Sequence, residues 1–95
     1  MAAYVFVDVN VTDPERFKGY QALAPDSVAR YGGKYLARGG AVAMLEGEMH
    51  PHRVVILEFP SLEQARLWYA SPEYAKAIAA RKGAAVFRML AVEGV

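Results

Sequence analysis

Residues Tyr4 to Val11 alternate without a break between two faces, and this stretch constrains the fold more than any other. Val5, Val7, Val9 and Val11 make one face; Tyr4, Phe6, Asp8 and Asn10 make the other. Period-two alternation rich in β-branched residues specifies an extended strand. Both faces carry large apolar side chains. One layer of helices can bury only one of them, so the other face needs a second cover.

Thr12-Asp13-Pro14-Glu15 then reads as a helix start. Asp13 is a good N-cap and Pro14 suits the first helical position, with Thr12 and Glu15 as an alternative capping box. Phe17, Tyr20, Ala24, Val28 and Tyr31 recur at helical spacing. Pro25 is expected to kink or split this helix, and Gly32-Gly33 to end it. Lys34 to Glu46 reads as a second strand interrupted at Gly39-Gly40, where a bulge or a close backbone approach is expected. Gly47 to His52 is a turn. Arg53 to Phe59 is a nearly continuous apolar strand, expected at the centre of the sheet. Ser61 caps a second helical region with Gln64 in capping-box position. Ser71-Pro72 restarts that helix, Gly83 ends it, and Val86 to Val92 is the last strand. The order is that of an α+β, ferredoxin-like βαββαβ fold with a four-stranded antiparallel sheet.

The chain has 95 residues, which predicts one domain over residues 1–95. A domain of this size gains much from a partner. Its hydrophobic fraction of 55% is high for such a chain. The third strand, like the first, is apolar on both sides: Val54 and Ile56 on one, Val55, Leu57 and Phe59 on the other. Exposed patches of that kind mark interfaces, so a homodimer is expected, packed sheet to sheet. Eleven basic and ten acidic residues leave a net charge of +1 with no basic block, so neither nucleic acid nor a membrane is an expected partner. There is no cysteine, which rules out disulfides and thiol chemistry and fits a cytoplasmic protein. No signal peptide is expected.

The segments Gly33-Lys34-Tyr35-Leu36-Ala37-Arg38-Gly39-Gly40, Glu58-Phe59-Pro60-Ser61, Trp68-Tyr69 and Ser71-Pro72-Glu73-Tyr74, with Arg81, occur in this order. Together they resemble the domain of unknown function 1330 family, over Tyr4 to Val95. The resemblance implies a dimeric α/β barrel of ferredoxin-like topology, akin to antibiotic-biosynthesis and haem-degrading monooxygenases. It implies no established reaction. The haem-degrading relatives use an asparagine on the first strand and a tryptophan on the second helix, which Asn10 and Trp68 match superficially. They also need a helix histidine, which this chain lacks, so haem chemistry is not expected and no cofactor is assigned.

The candidate site residues are Arg38, Glu58, Trp68, Tyr69, Tyr74 and Arg81. A simple hairpin centred on Glu48 would set Arg38 opposite Glu58. The pair then reads either as an anion-binding arginine oriented by a carboxylate, with Glu58 as acid or base, or as a buried ion pair that fixes the hairpin or the dimer. Trp68, Tyr69 and Tyr74 read as the aromatic wall of a pocket or as helix packing. Arg81 reads as an anion clamp or as a charge complementing the helix dipole. Glu46, Glu48, His50 and His52 read as an exposed polar loop, not a metal site. The expected function is binding of a small, partly apolar anion, with cofactor-independent catalysis as an extension. The alternative is a non-catalytic dimer module whose polar cluster holds the assembly.

Overall fold

The computed structural model describes residues 1–95. Seven elements follow one another: β1 (Ala3–Val11), α1 (Pro14–Arg30), β2 (Lys34–Arg38), β3 (Arg53–Phe59), α2 (Leu62–Tyr69), α3 (Pro72–Ala80) and β4 (Ala85–Glu93). The strands form one sheet in the order β2-β3-β1-β4, with all neighbours antiparallel. This is the ferredoxin-like α+β arrangement. No helix is long and apolar enough to cross a membrane.

The alternation of β1 decides which side is core. Val5, Val7 and Val9 are buried under the helices, in register with Leu57, Val55 and Arg53 of β3 and with Ala91, Met89 and Phe87 of β4. Phe17, Ala24 and Val28 of α1 and Trp68 of α2 close on them. The molecule measures only 16 Å along its shortest axis, the thickness of one sheet and one helix layer. The opposite sheet face has no helix over it, and only the segment 48–52 lies against it, beside Phe6, Asp8 and Arg88. That face carries Phe6, Ile56 and, more than half exposed, Val86, Leu90 and Val92.

Helix boundaries follow local chemistry. Asp13, Ser61 and Ser71 are the three N-caps, and each side chain accepts from a backbone N–H three residues on. At the end of α1, the Gly33 N–H donates to the Val28 carbonyl and the Gly32 N–H to Ala29, with Gly32 at φ +78°. This is a Schellman closure, and the positive φ requires glycine. Pro25 does not split α1, which runs unbroken through it. Burial of Phe17, Ala24, Ser27 and Val28 on both sides of Pro25 outweighs the one hydrogen bond that proline removes.

The second strand is shorter than expected. It ends at Arg38, and residues 40–52 have no regular structure. Gly39 turns the chain out of the sheet at φ +72°, after one last bond from its N–H to the Val54 carbonyl. The Arg53 guanidinium occupies the space a side chain at Gly39 would need, 2.7 Å from an ideal Cβ. The bulge falls between Tyr35 and Ala37, not at the glycine pair. The connection is pinned at its far end by Asp8. That buried carboxylate accepts from the His52 backbone N–H at 2.8 Å and from Arg88 at 2.8 Å. The Arg88 bond, then the His52 N–H, hold the Asp8 carboxyl below its ordinary pKa against the opposing effect of burial.

Gly33 tests the packing of α1 against β3. A Cβ there would lie 2.5 Å from a Phe59 ring carbon and 2.8 Å from a Val28 methyl. Gly33→Ala is expected to lower unfolding free energy by roughly 1–3 kcal/mol, the usual cost of overpacking. Urea denaturation would show this as a lower midpoint at unchanged slope; a midpoint equal to wild type would contradict the contact.

Candidate functional site

A cavity of about 200 Å³ lies between α1 and the helix-side face of the sheet. Its floor is apolar: Val7, Val9, Val55 and Leu57, with Phe87 and Met89 from β4. Its roof is Phe17, Tyr20, Gln21, Ala24, Pro25 and Val28 of α1. Trp68 closes one side, and Tyr35, Arg38 and Arg53 complete the lining. Pro25 has no N–H to offer the Gln21 carbonyl four residues earlier, so that helix acceptor lacks its normal partner beside the cavity.

The register of β2 and β3 determines which charges reach this space. Lys34 lies opposite Glu58, and Arg38 lies opposite Val55. Arg38 and Glu58 are therefore not cross-strand partners, which corrects the register expected from a hairpin centred on Glu48. The bulge after Tyr35 and the long irregular connection shift the pairing. Glu58 alternates with the buried Leu57 and Phe59, so it points to the uncovered face of the sheet. There it pairs with Lys34 at 3.6 Å. Arg38 and Arg53 belong to the cavity instead. Neither has a carboxylate within ion-pair distance; the acidic partners in the molecule serve Lys18, Lys34, His52 and Arg88. The Arg38 guanidinium sits over the Tyr35 ring, 4.2 Å from its centroid.

The aromatic residues form a continuous wall. Trp68 is buried against Phe59 and Tyr74, with ring centroids 5.2 and 4.2 Å away, and its indole N–H donates to the Ser27 hydroxyl at 3.1 Å. Tyr74 is fully buried, and its hydroxyl lies 2.8 Å from that of Tyr20. Burial raises the phenol pKa of both, and of Tyr35. For Tyr20 the neighbouring Tyr74 adds to the rise; for Tyr74 the Tyr20 hydrogen bond and the Arg81 charge oppose it. All three are therefore hydroxyl donors at neutral pH. No Asp, Glu or His lines the cavity.

The six sequence candidates thus divide. Arg38 and Trp68 line this cavity. Trp68, Tyr69 and Arg81 line a second cleft beside β4. Tyr74 stands behind both as core, touching Trp68 and Tyr20. Glu58 is on the far side of the sheet. Sequence reasoning missed Tyr20, Tyr35 and Arg53 as lining residues. The signal for Arg53 was present: it is in phase with Val55 and Leu57 along one alternating strand.

Two helices and a third short one on one face of a four-stranded antiparallel sheet, with an apolar cavity between the layers, define a ferredoxin-like α+β protein. Residues 2–95 match the model of the domain of unknown function DUF1330, and the chain belongs to that family. Among solved structures it is similar to RPA0582, a protein of unknown function from Rhodopseudomonas palustris. The TM-score is 0.74 at 24% identity, covering 99% of this chain and 82% of that one. It is similar to SnoaB, a cofactor-independent oxygenase from Streptomyces nogalater, at TM-score 0.65 and 13% identity, covering 99% and 93%. It is also similar to a dimeric protein of unknown function and ferredoxin-like fold from Bacteroides fragilis, at TM-score 0.59 and 13% identity, covering 98% and 96%. At these identities the likeness is one of fold. Curated protein sequences contain no match.

The raised phenols make an alkaline prediction. Their folded pKa lies above the ordinary value of 10.0, so the folded chain keeps protons that the unfolded chain releases. The associated stability is complete below pH 10 and declines as pH rises above it. Urea midpoints of a Tyr20→Phe, Tyr74→Phe double variant should fall less steeply above about pH 10 than those of wild type. Parallel declines would argue that the two hydroxyls are solvated.

Proposed function

We propose that this chain binds a small, partly apolar organic anion in the cavity beside Arg38, within a homodimer. The carrying observation is a pair of guanidinium groups, Arg38 and Arg53, without carboxylate partners on the lining of an otherwise apolar, phenol-bearing cavity. Arg38 is exposed and Arg53 half-buried, so an anion entering the cavity gains charge pairing with both, and arginine matches a carboxylate through two parallel hydrogen bonds. Cavities near 150 Å³ accept a benzene ring. About 200 Å³ therefore suits a single-ring aromatic acid or a short branched aliphatic one.

The same lining limits the chemistry. Tyr35 can donate to an oxyanion, and two positive charges stabilise it. With no carboxylate or imidazole on the lining and phenols held protonated, the cavity carries no side chain suited to take a proton at neutral pH. Any reaction in it suits a substrate acidic enough to enter as its anion. The fold likeness to a cofactor-independent oxygenase supports that class of chemistry as an extension of binding. A cytoplasmic location fits a chain without cysteine.

A thermal-shift titration tests the binding. Benzoate and phenylacetate should stabilise wild type saturably, and neutral benzamide should not. Arg38→Ala should weaken the acids about tenfold, a loss near 1.4 kcal/mol. An Arg38→Ala protein that responds like wild type would sink the proposal.

Glu58 favours a second role for the polar residues of the signature. Its pairing with Lys34 on the uncovered face suits assembly and not the cavity. That face carries Phe6, Ile56, Leu90 and Val92, and a second copy seated on it would remove them from water. The Bacteroides fragilis protein of the same fold is described as dimeric. Sedimentation at micromolar concentration should give the mass of two chains, and Leu90→Asp the mass of one. If the benzoate response vanished only in variants that also lost the dimer, the polar residues would serve assembly alone.

A further inference from the structure

A second cleft, of about 550 Å³, opens between α2, the end of α3 and the edge strand β4. It shares Trp68, Phe87 and Met89 with the cavity beside Arg38, which they divide from it. Its charged members are different: Arg66 on the exposed side of α2, and Arg81, the C-cap residue of α3. No acidic side chain lines the cleft.

Arg81 is the unusual group. Its guanidinium carbon sits over the Phe87 ring, 3.6 Å from the centroid, with the Tyr20 and Tyr74 rings at 5.6 and 5.9 Å. Its Nε is enclosed and has no hydrogen-bond acceptor. Aromatic faces stabilise the charge but accept no conventional hydrogen bond, so a buried N–H donor stays unmet. Leaving such a donor unsatisfied costs more than an ordinary hydrogen bond returns. No ligand reaches the enclosed Nε, but the terminal Nη groups are not enclosed and make no hydrogen bond within the chain, so an anionic oxygen in the cleft would meet those. Arg66, also without a carboxylate partner, supplies a second positive group on the same cleft. The remaining lining is apolar: Val5, Ala65, Trp68, Met89 and Ala91, with Leu90 at the β4 edge and the half-exposed Tyr69 ring set edge-on to Trp68 at the rim.

We propose that this cleft is a separate binding site for a flat aromatic acid of two or three rings, its anionic group held by Arg81 and Arg66. The volume falls within the range of organic-ligand pockets, whereas the neighbouring cavity admits only a single ring. The site does not depend on the binding proposed beside Arg38.

Calorimetric titration of the intact protein with 2-naphthoate, 2-naphthamide and benzoate tests it. The expected result is saturable 2-naphthoate binding at one per chain, at least tenfold weaker for the neutral amide. Arg81→Gln should weaken 2-naphthoate about tenfold, Arg66→Gln several-fold, and Arg38→Ala less than twofold. Arg66 is exposed, so its variant decides the matter if Arg81→Gln fails to fold. No saturable 2-naphthoate binding overturns the site, as does equal binding by wild type and the Arg66 and Arg81 variants. Loss in Arg38→Ala equal to that in Arg81→Gln also overturns it, because one shared pocket would then hold the ligand. Benzoate reports on the Arg38 cavity in the same experiments, so the two proposals fail separately.

Discussion

The hydrogen-bonding of β1 on both edges is the constraint on which the rest depends. It pairs with β3 from Ala3 to Val9 and with β4 from Ala3 to Val11. Its alternation therefore propagates to both neighbours. Wherever a β1 valine faces the helices, the residues opposite it on β3 and β4 must face them too. Val9 brings Arg53 and Phe87 to the cavity by that rule, and Val7 brings Val55 and Met89. A slip of β1 by one residue would turn its valines out and bring Asp8 in, leaving Arg88 on the outer face. The ion pair of those two on the outer face penalises the slip, since a buried carboxylate would lose its partner.

Above that sheet, Trp68 links the elements that the sheet does not. It touches Phe59 of β3 and Tyr74 of α3, and it donates to Ser27 of α1. Ser27 in turn donates to the Ala24 carbonyl one turn back, next to Pro25. A polar atom on a large buried ring is thereby satisfied by a hydroxyl that is itself satisfied, the condition under which such a contact rigidifies a core. Both cavities are bounded by this residue, so their shape depends on the same packing that holds α2 to the sheet.

Much of this was legible from residue order. The β1 alternation, the Asp13, Ser61 and Ser71 caps and the Gly32-Gly33 stop are local signals, and each operates where it was read. Pro25 does not split α1, because its cost is local while the burial that outweighs it is tertiary. The Arg38 register departs from the expected one for a different reason. Hairpin register is set by the turn, and here residues 40–52 impose no turn geometry, while the bulge at Leu36 moves the count by one. Glu58 and Arg38 are both in the signature, but Arg38 pairs with Val55, three residues from Glu58, and the two side chains face opposite sides of the sheet. The cavity arginine that alternation did mark, Arg53, stood outside the signature and drew no attention.

The two cavities use their arginines in different ways, and the difference bears on what each can hold. Arg38 is exposed, stacks on Tyr35 and keeps contact with water, so its charge costs little when the cavity is empty. An anion there gains charge pairing against competing solvent, and salt should weaken it. Arg81 has already lost much of its water to Phe87, Tyr20 and Tyr74, and its Nε has no acceptor. Its desolvation is met by folding, before any ligand arrives. An anion reaching Arg81 therefore pays less for the protein side of the contact than one reaching Arg38. The aromatic shell that makes Arg81 look structural is the same feature that prepares it to bind.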